Sequence, residues 1–165
     1  MILRAAKLSL LTGLALFDTL VVINNLTDFD SNYQFVRHVL MMDTTLPGNR
    51  GMWRALPSPA FHLAFYVCII AWEIVITILL WWSVMRLLRA LRLPSAQFNA
   101  ARQLPVVALT LSLLLWLVAF LTVGGEWFLM WQSHTWNGQD AAFRNFAVAA
   151  LVLLILLQPE AGEHP

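Results

Sequence analysis

The sequence predicts an all-α fold, an integral membrane four-helix bundle with an amphipathic loop helix on its outward side. Three observations predict it. Of the 165 residues, 60% are hydrophobic and 12% charged, and the mean hydropathy is +0.72, a balance of membrane proteins and not of soluble domains. Four apolar runs, at about 3–26, 59–85, 104–127 and 140–157, each approach the roughly 20 helical residues that cross a hydrocarbon core of about 30 Å. The basic residues are unevenly shared among the segments that join the runs.

The first run follows Arg4 and Lys7, as the apolar stretch of a secretory signal does. It continues past Asp18 through Leu20-Val21-Val22-Ile23 with no small-x-small cleavage site, so it is expected to be a retained helix. In the loop 27–58, Ser31 or Asn32 is placed to cap a short helix over about 32–42. Phe35, Val36, Val39, Leu40 and Met42 recur there at helical spacing, so its apolar side is expected to lie in lipid or against the bundle. Pro47-Gly48-Asn49 turns the chain, and Ser58-Pro59 opens the second run with a cap and an N1 proline. The segment 86–103 carries Arg86, Arg89, Arg92 and Arg102 and no acid. The third run presents Ala108, Ser112, Ala119, Thr122 and Glu126 on one α-helical face, and the fourth presents Ala142, Asn145 and Ala149. Between these runs lies a turn rich in tryptophan, with Trp127, Trp131 and Trp136.

The arginine-rich segment, together with Arg4 and Lys7, is expected on the cytoplasmic side. Both termini, including the tail Glu160–Pro165, are then cytoplasmic, and the first and third loops face outward. A net charge of +1 with dispersed basic residues argues against a nucleic-acid partner. A single cysteine, Cys68, allows neither an intrachain disulfide nor a CxxC redox pair.

Ionisable groups inside spans are costly unless paired or neutralised, which makes Asp18, Glu73 and Glu126 candidates for function. Glu73 stands about 13 residues into the second run, roughly 20 Å along it. His62, Tyr66, Glu73 and Thr77 share an arc of that helix, a stripe that suits either a proton path or a neutral carboxyl packed against a neighbouring helix. Asp18 shares a face with Leu11, Val22 and Asn25, while Ala5, Ser9 and Gly13 form a small-residue ridge on another. Arg144 is placed to neutralise one of the acids or to pair with Asp140. Glu126 continues the small polar face of its run and is expected to point into the bundle mouth. With His62, Tyr66, Trp127, Trp131, Gln132 and Asn145 it outlines a candidate outward site. His38, His62 and His134 belong to the same side, but no HxxxH or HxxE spacing supports a metal. No mid-membrane histidine is available for haem, and no Walker loop, dinucleotide fingerprint or nucleophile elbow is present. No cofactor is expected.

Longer motifs carry a resemblance. They are Asn24-Asn25-Leu26-Thr27-Asp28, then His38-Val39-Leu40-Met41-Met42-Asp43-Thr44-Thr45, then Gly124-Gly125-Glu126-Trp127-Phe128-Leu129-Met130-Trp131-Gln132-Ser133 with Trp136-Asn137-Gly138-Gln139. Together they resemble a bacterial family of predicted small integral membrane proteins of unknown function. The resemblance implies the bacterial inner membrane and four helices, and it carries no catalytic roles.

Three functional readings follow. The favoured one is a non-enzymatic accessory or partner-binding membrane subunit, embedded in the lipid bilayer as a homo-oligomer or with a membrane-protein partner. The second is a small transporter of protons, ions or a solute past Glu73. The third is a quinone- or lipid-interacting membrane enzyme component, whose acid and aromatic pocket is hard to tell from an aromatic belt.

Overall fold

The computed structural model describes residues 1–159; the Glu160–Pro165 tail, expected to be cytoplasmic, lies outside the described residues. Six helices form: α1 (Ile2–Thr27), α2 (Phe29–Met41), α3 (Pro59–Ala90), α4 (Ser95–Ala101), α5 (Gln103–Leu114) and α6 (Gln139–Leu157). Beyond α5 the same rod continues as a π-helix, Leu115–Trp127. Four rods, Ile2–Thr27, Pro59–Ala90, Ser95–Trp127 and Gln139–Leu157, are long and apolar enough to cross a membrane. In the first three, 28% of the most apolar window is buried inside the protein. Most apolar side chains therefore face outward, where lipid suits them.

Local chemistry explains several boundaries. Asp28 is the sole residue between α1 and α2, and Ser31 Oγ donates to its carboxylate at 2.8 Å. The loop helix thus starts earlier than Ser31 or Asn32. Met42, in the left-handed region with φ 54°, ends it. Ser58 precedes α3 and Pro59 occupies its first turn, although the serine side chain makes no capping bond. The arginine-rich segment that joins the second and third runs is largely helical. α3 runs on to Ala90, and α4 begins directly after Pro94, because only Pro94 interrupts the helical pattern there.

The interior divides into two apolar clusters. One, around Leu11, Leu80, Leu87, Leu109, Leu115 and Leu156, fills the half nearer Arg86. The other, around Val36, Leu40, Tyr66, Ile70, Phe128 and Met130, sits under α2. α2 therefore lays its apolar side on the bundle and not in lipid.

Lipid is as apolar as a leucine face, so helices in a membrane associate by packing and polar contacts. The arginine end shows such contacts. Arg4 donates to the carbonyls of Leu91 (3.2 Å) and Leu93 (2.7 Å) and to Ser95 Oγ (3.1 Å). Lys7 donates to the Gln158 carbonyl, and Arg102 to those of Leu156 (3.0 Å) and Gln158 (2.9 Å). The final carbonyls of a helix have no partner within it and attract positive charge. Three cations thus close the ends of α3 and α6.

A polar cavity beneath the loop helix

Between the two apolar clusters lies a polar layer. Asn25, near the end of α1, donates from Nδ2 to Glu73 Oε2 at 2.6 Å. Tyr66, two turns nearer the α2 end of α3, donates its hydroxyl to the Asn25 backbone carbonyl at 3.1 Å. Asn25, Tyr66 and Glu73 are all buried. Thr77 turns its hydroxyl back to the Glu73 carbonyl at 2.8 Å. Asn25, Tyr66 and Glu73 border a cavity of about 260 Å³ to which α1, α2, α3, the π-helix and α6 all contribute, with Asn32 and Asn145 among its walls. Phe29 leans on Tyr66 with ring centroids 4.7 Å apart, so α2 covers this layer.

Asp18 is also buried, 8% exposed, and its Oδ2 has no hydrogen-bond partner among the described residues. It borders a neighbouring groove between α1 and α6, together with Gly13 and Arg144, and this groove shares Trp116 and Asn145 with the cavity. The ridge of Ala5, Ser9 and Gly13 is exposed, and a Cβ added at Gly13 would meet nothing within 4 Å. Among the described residues no helix packs against Gly13. Arg144 is exposed and forms no ion pair with Asp18 or Asp140 among the described residues.

His62 is buried but belongs to the architecture of the loop. Its Nε2 lies 2.6 Å from the Leu56 carbonyl, and Leu56 N–H donates to the Leu40 carbonyl at 2.8 Å. The histidine thereby ties the return of the loop to α3 and α2, and it does not border the cavity.

The third span departs from its expected face. A regular α-helix would carry the inner face of Ser112 on to Thr122 and Glu126. The turns from Leu115 onward close with wider i→i+5 bonds, as in Phe128 N–H to the Val123 carbonyl (2.9 Å), and the Thr122 hydroxyl follows the same spacing to the Leu117 carbonyl (2.9 Å). About one extra residue per turn brings Leu115, Gly124, Gly125 and Phe128 inside and turns Thr122 and Glu126 outward. Glu126 is exposed, and the bundle mouth does not receive its carboxylate.

Outside the bundle, the tryptophan-rich turn forms a cap. The Arg54 guanidinium sits 5.4 Å from the Trp53 ring and 5.2 Å from the Trp127 ring and donates to the Trp127 carbonyl at 3.1 Å. Trp127 and Trp131 are each 48% exposed, as interfacial rings are. Gln132 Oε1 accepts from Leu46 N–H at 3.2 Å. Ser133 is buried, accepting from Thr44 Oγ1 (2.8 Å) and Trp136 N–H (2.9 Å). His38 stacks on Trp136 with centroids 4.8 Å apart and lies 2.8 Å from Asp43 Oδ2. His134 is exposed.

The candidate residues therefore fall into three places. Glu73, Tyr66 and Asn145 meet at the cavity, Asp18 borders the neighbouring groove, and His62, Glu126, Trp127, Trp131 and Gln132 belong to the cap. Sequence reasoning placed Asn25 on the Asp18 face without pairing it to Glu73, and overlooked Arg54 as the organiser of the cap. The signal for Asn25 was available, because it is a second polar residue on an inward face two turns beyond Asp18.

Comparison with curated proteins and with solved structures gives no match. The family described as predicted small integral membrane protein (DUF2165) matches residues 3–159, nearly the entire span of the four apolar rods, and the chain belongs to that family.

Proposed function

We propose that the protein is a non-enzymatic subunit of the bacterial inner membrane that binds a small ligand in the cavity beneath α2. The observation that carries this reading is the asymmetry of the interior. A polar cavity with Glu73, Asn25 and Tyr66 lies under the loop helix, whereas the half beyond it is built mainly of leucine, valine and alanine, with Asp18, Ser83 and Ser112 as scattered buried polar side chains. A conducting path needs a continuous run of polar groups through both halves, so the scattered polar side chains of the packed half favour one-sided binding over transport past Glu73. Exposed Arg86, Arg89 and Arg92 lie at the opposite end from α2, which supports an outward-facing cavity by the positive-inside rule. The interfacial cap of Trp53, Trp127 and Trp131 fits the same orientation.

Native mass spectrometry of the protein released from nanodiscs tests this reading. The wild type is expected to carry a small-molecule adduct that Glu73→Leu and Asn145→Leu lose, with circular dichroism unchanged. Equal adducts in all three proteins, or none in any, would refute it. Proton flux into vesicles that Glu73→Gln abolishes would favour the transporter instead.

A further inference from the structure

A second cavity abuts the first. It measures about 250 Å³ and is almost wholly apolar, lying between α2, α3 and the π-helix. Phe35, Val36, Ile69 and Phe120 border both spaces, so a polar chamber and an apolar one meet at these four apolar side chains. On its far side the apolar chamber is bordered by Phe65, Cys68 and Trp72. All three are exposed on the outer face of α3, where lipid lies.

The π-helix makes this space. Its wider turn swings Gly124 inward beside Met130, whose Sδ lies 3.8 Å from where a Gly124 Cβ would stand, and both residues line the chamber. At the last α turn before the transition, Trp72 Nε1 donates to the Leu111 carbonyl at 3.2 Å. That bond fixes the indole at the edge of the opening.

The chemistry of the polar chamber restricts what it admits. Its polar side chains are three amides (Asn25, Asn32 and Asn145), the Tyr66 phenol and the Glu73 carboxyl, with no lysine, arginine or histidine. An anionic headgroup would meet a carboxyl and no cation, whereas hydroxyl groups can both donate to and accept from these partners. The apolar chamber exceeds the roughly 150 Å³ cavity that takes up benzene, giving room for a segment of one hydrocarbon chain but not two.

Resting on the binding role proposed above, we infer that the ligand is a single-chain amphiphile with an uncharged, hydroxyl-bearing head of the monoacylglycerol type. The head occupies the polar chamber against Asn25 and Glu73. The chain passes Phe35 and Phe120 into the apolar chamber and emerges toward lipid past Cys68 and Trp72.

The test uses a monoacylglycerol with a diazirine near the end of its chain, added to the full-length protein in phosphatidylcholine nanodiscs. After irradiation, peptide mapping is expected to find the label concentrated in segments 65–72 and 118–123. Unlabelled monomyristoylglycerol in excess should reduce it about ten-fold, and myristic acid should not. Ala119→Trp, which fills the apolar chamber, should reduce it similarly. On the unaltered chain, alkylating the single cysteine, Cys68, with dodecyl maleimide should do the same, which keeps the test sound if the variant misfolds. Label spread evenly over lipid-facing helices, or competition by myristic acid as strong as by the glyceride, overturns the inference. The two proposals fail differently. A native adduct that Glu73→Leu abolishes but Cys68 alkylation spares would retain the polar site and reject the chain.

Discussion

Asn25 and Glu73 form a contact between two spans, with both side chains buried. Removing one partner strands the other, at a cost of about 1–3 kcal/mol. Replacing both with apolar groups of similar shape can be nearly neutral. Asn25→Leu is therefore expected to lower the melting temperature in detergent, and adding Glu73→Leu should recover most of the loss; a double-mutant cycle by thermal unfolding measures the coupling. Glu73→Gln retains a hydrogen-bonding group of the same shape and should cost under about 1 kcal/mol, whereas Glu73→Lys should prevent assembly, seen as loss of a monodisperse peak in size exclusion. Glu126→Gln should leave stability unchanged, because that side chain is exposed. The burial of Glu73 was legible from its stripe with His62 and Tyr66, since one helical period fixes which residues share a face. Its partner was not, because pairing depends on how two helices are set against each other.

Among the elements, the π-helix and the loop helix depend on close backbone approaches. A Cβ added at Gly138 would lie 2.7 Å from Phe35 Cζ, and one at Gly125 would lie 2.6 Å from Gln139 Nε2. The amide is the end of a flexible side chain, while the Phe35 ring is rigid and meets Trp136 edge-on with centroids 6.3 Å apart. Gly138→Ala should therefore destabilise the protein by about 1–3 kcal/mol, as overpacking does, and Gly125→Ala by less. Phe35→Leu in the Gly138→Ala background should restore part of the loss in the same melts. The loop helix was legible because its apolar spacing persists over several turns. The π-helix was not, because a reading with a single 3.6-residue period carries the inner face to Glu126, and a wider turn changes that face without any change in composition. Nothing in the hydropathy of residues 115–127 distinguishes the two.

At the scale of the whole molecule, four apolar rods and a charge asymmetry between their ends were readable from composition alone. The structure adds that some of these cations also hold the fold, since Arg4, Lys7 and Arg102 donate to carbonyls at the ends of α3 and α6. The proposed orientation predicts that Arg50→Cys reacts with an impermeant thiol reagent on intact cells and that Gln97→Cys does not; the reverse pattern would invert the topology. The spans also differ greatly in length. α3 has 32 residues and α6 has 19, about 48 Å and 29 Å at 1.5 Å per residue. A hydrocarbon layer of about 30 Å matches α6 and is overshot by α3. The surrounding membrane therefore meets a rim of uneven height, and α3 must lean or carry Arg86 and Arg89 clear of the acyl chains. Lengthening the lipid tails would relieve the long helix at the expense of the short one. Thermal stability in nanodiscs should accordingly pass through a maximum as tail length increases, with the loss in thick bilayers beginning at α6, beside the cavity wall that Asn145 supplies.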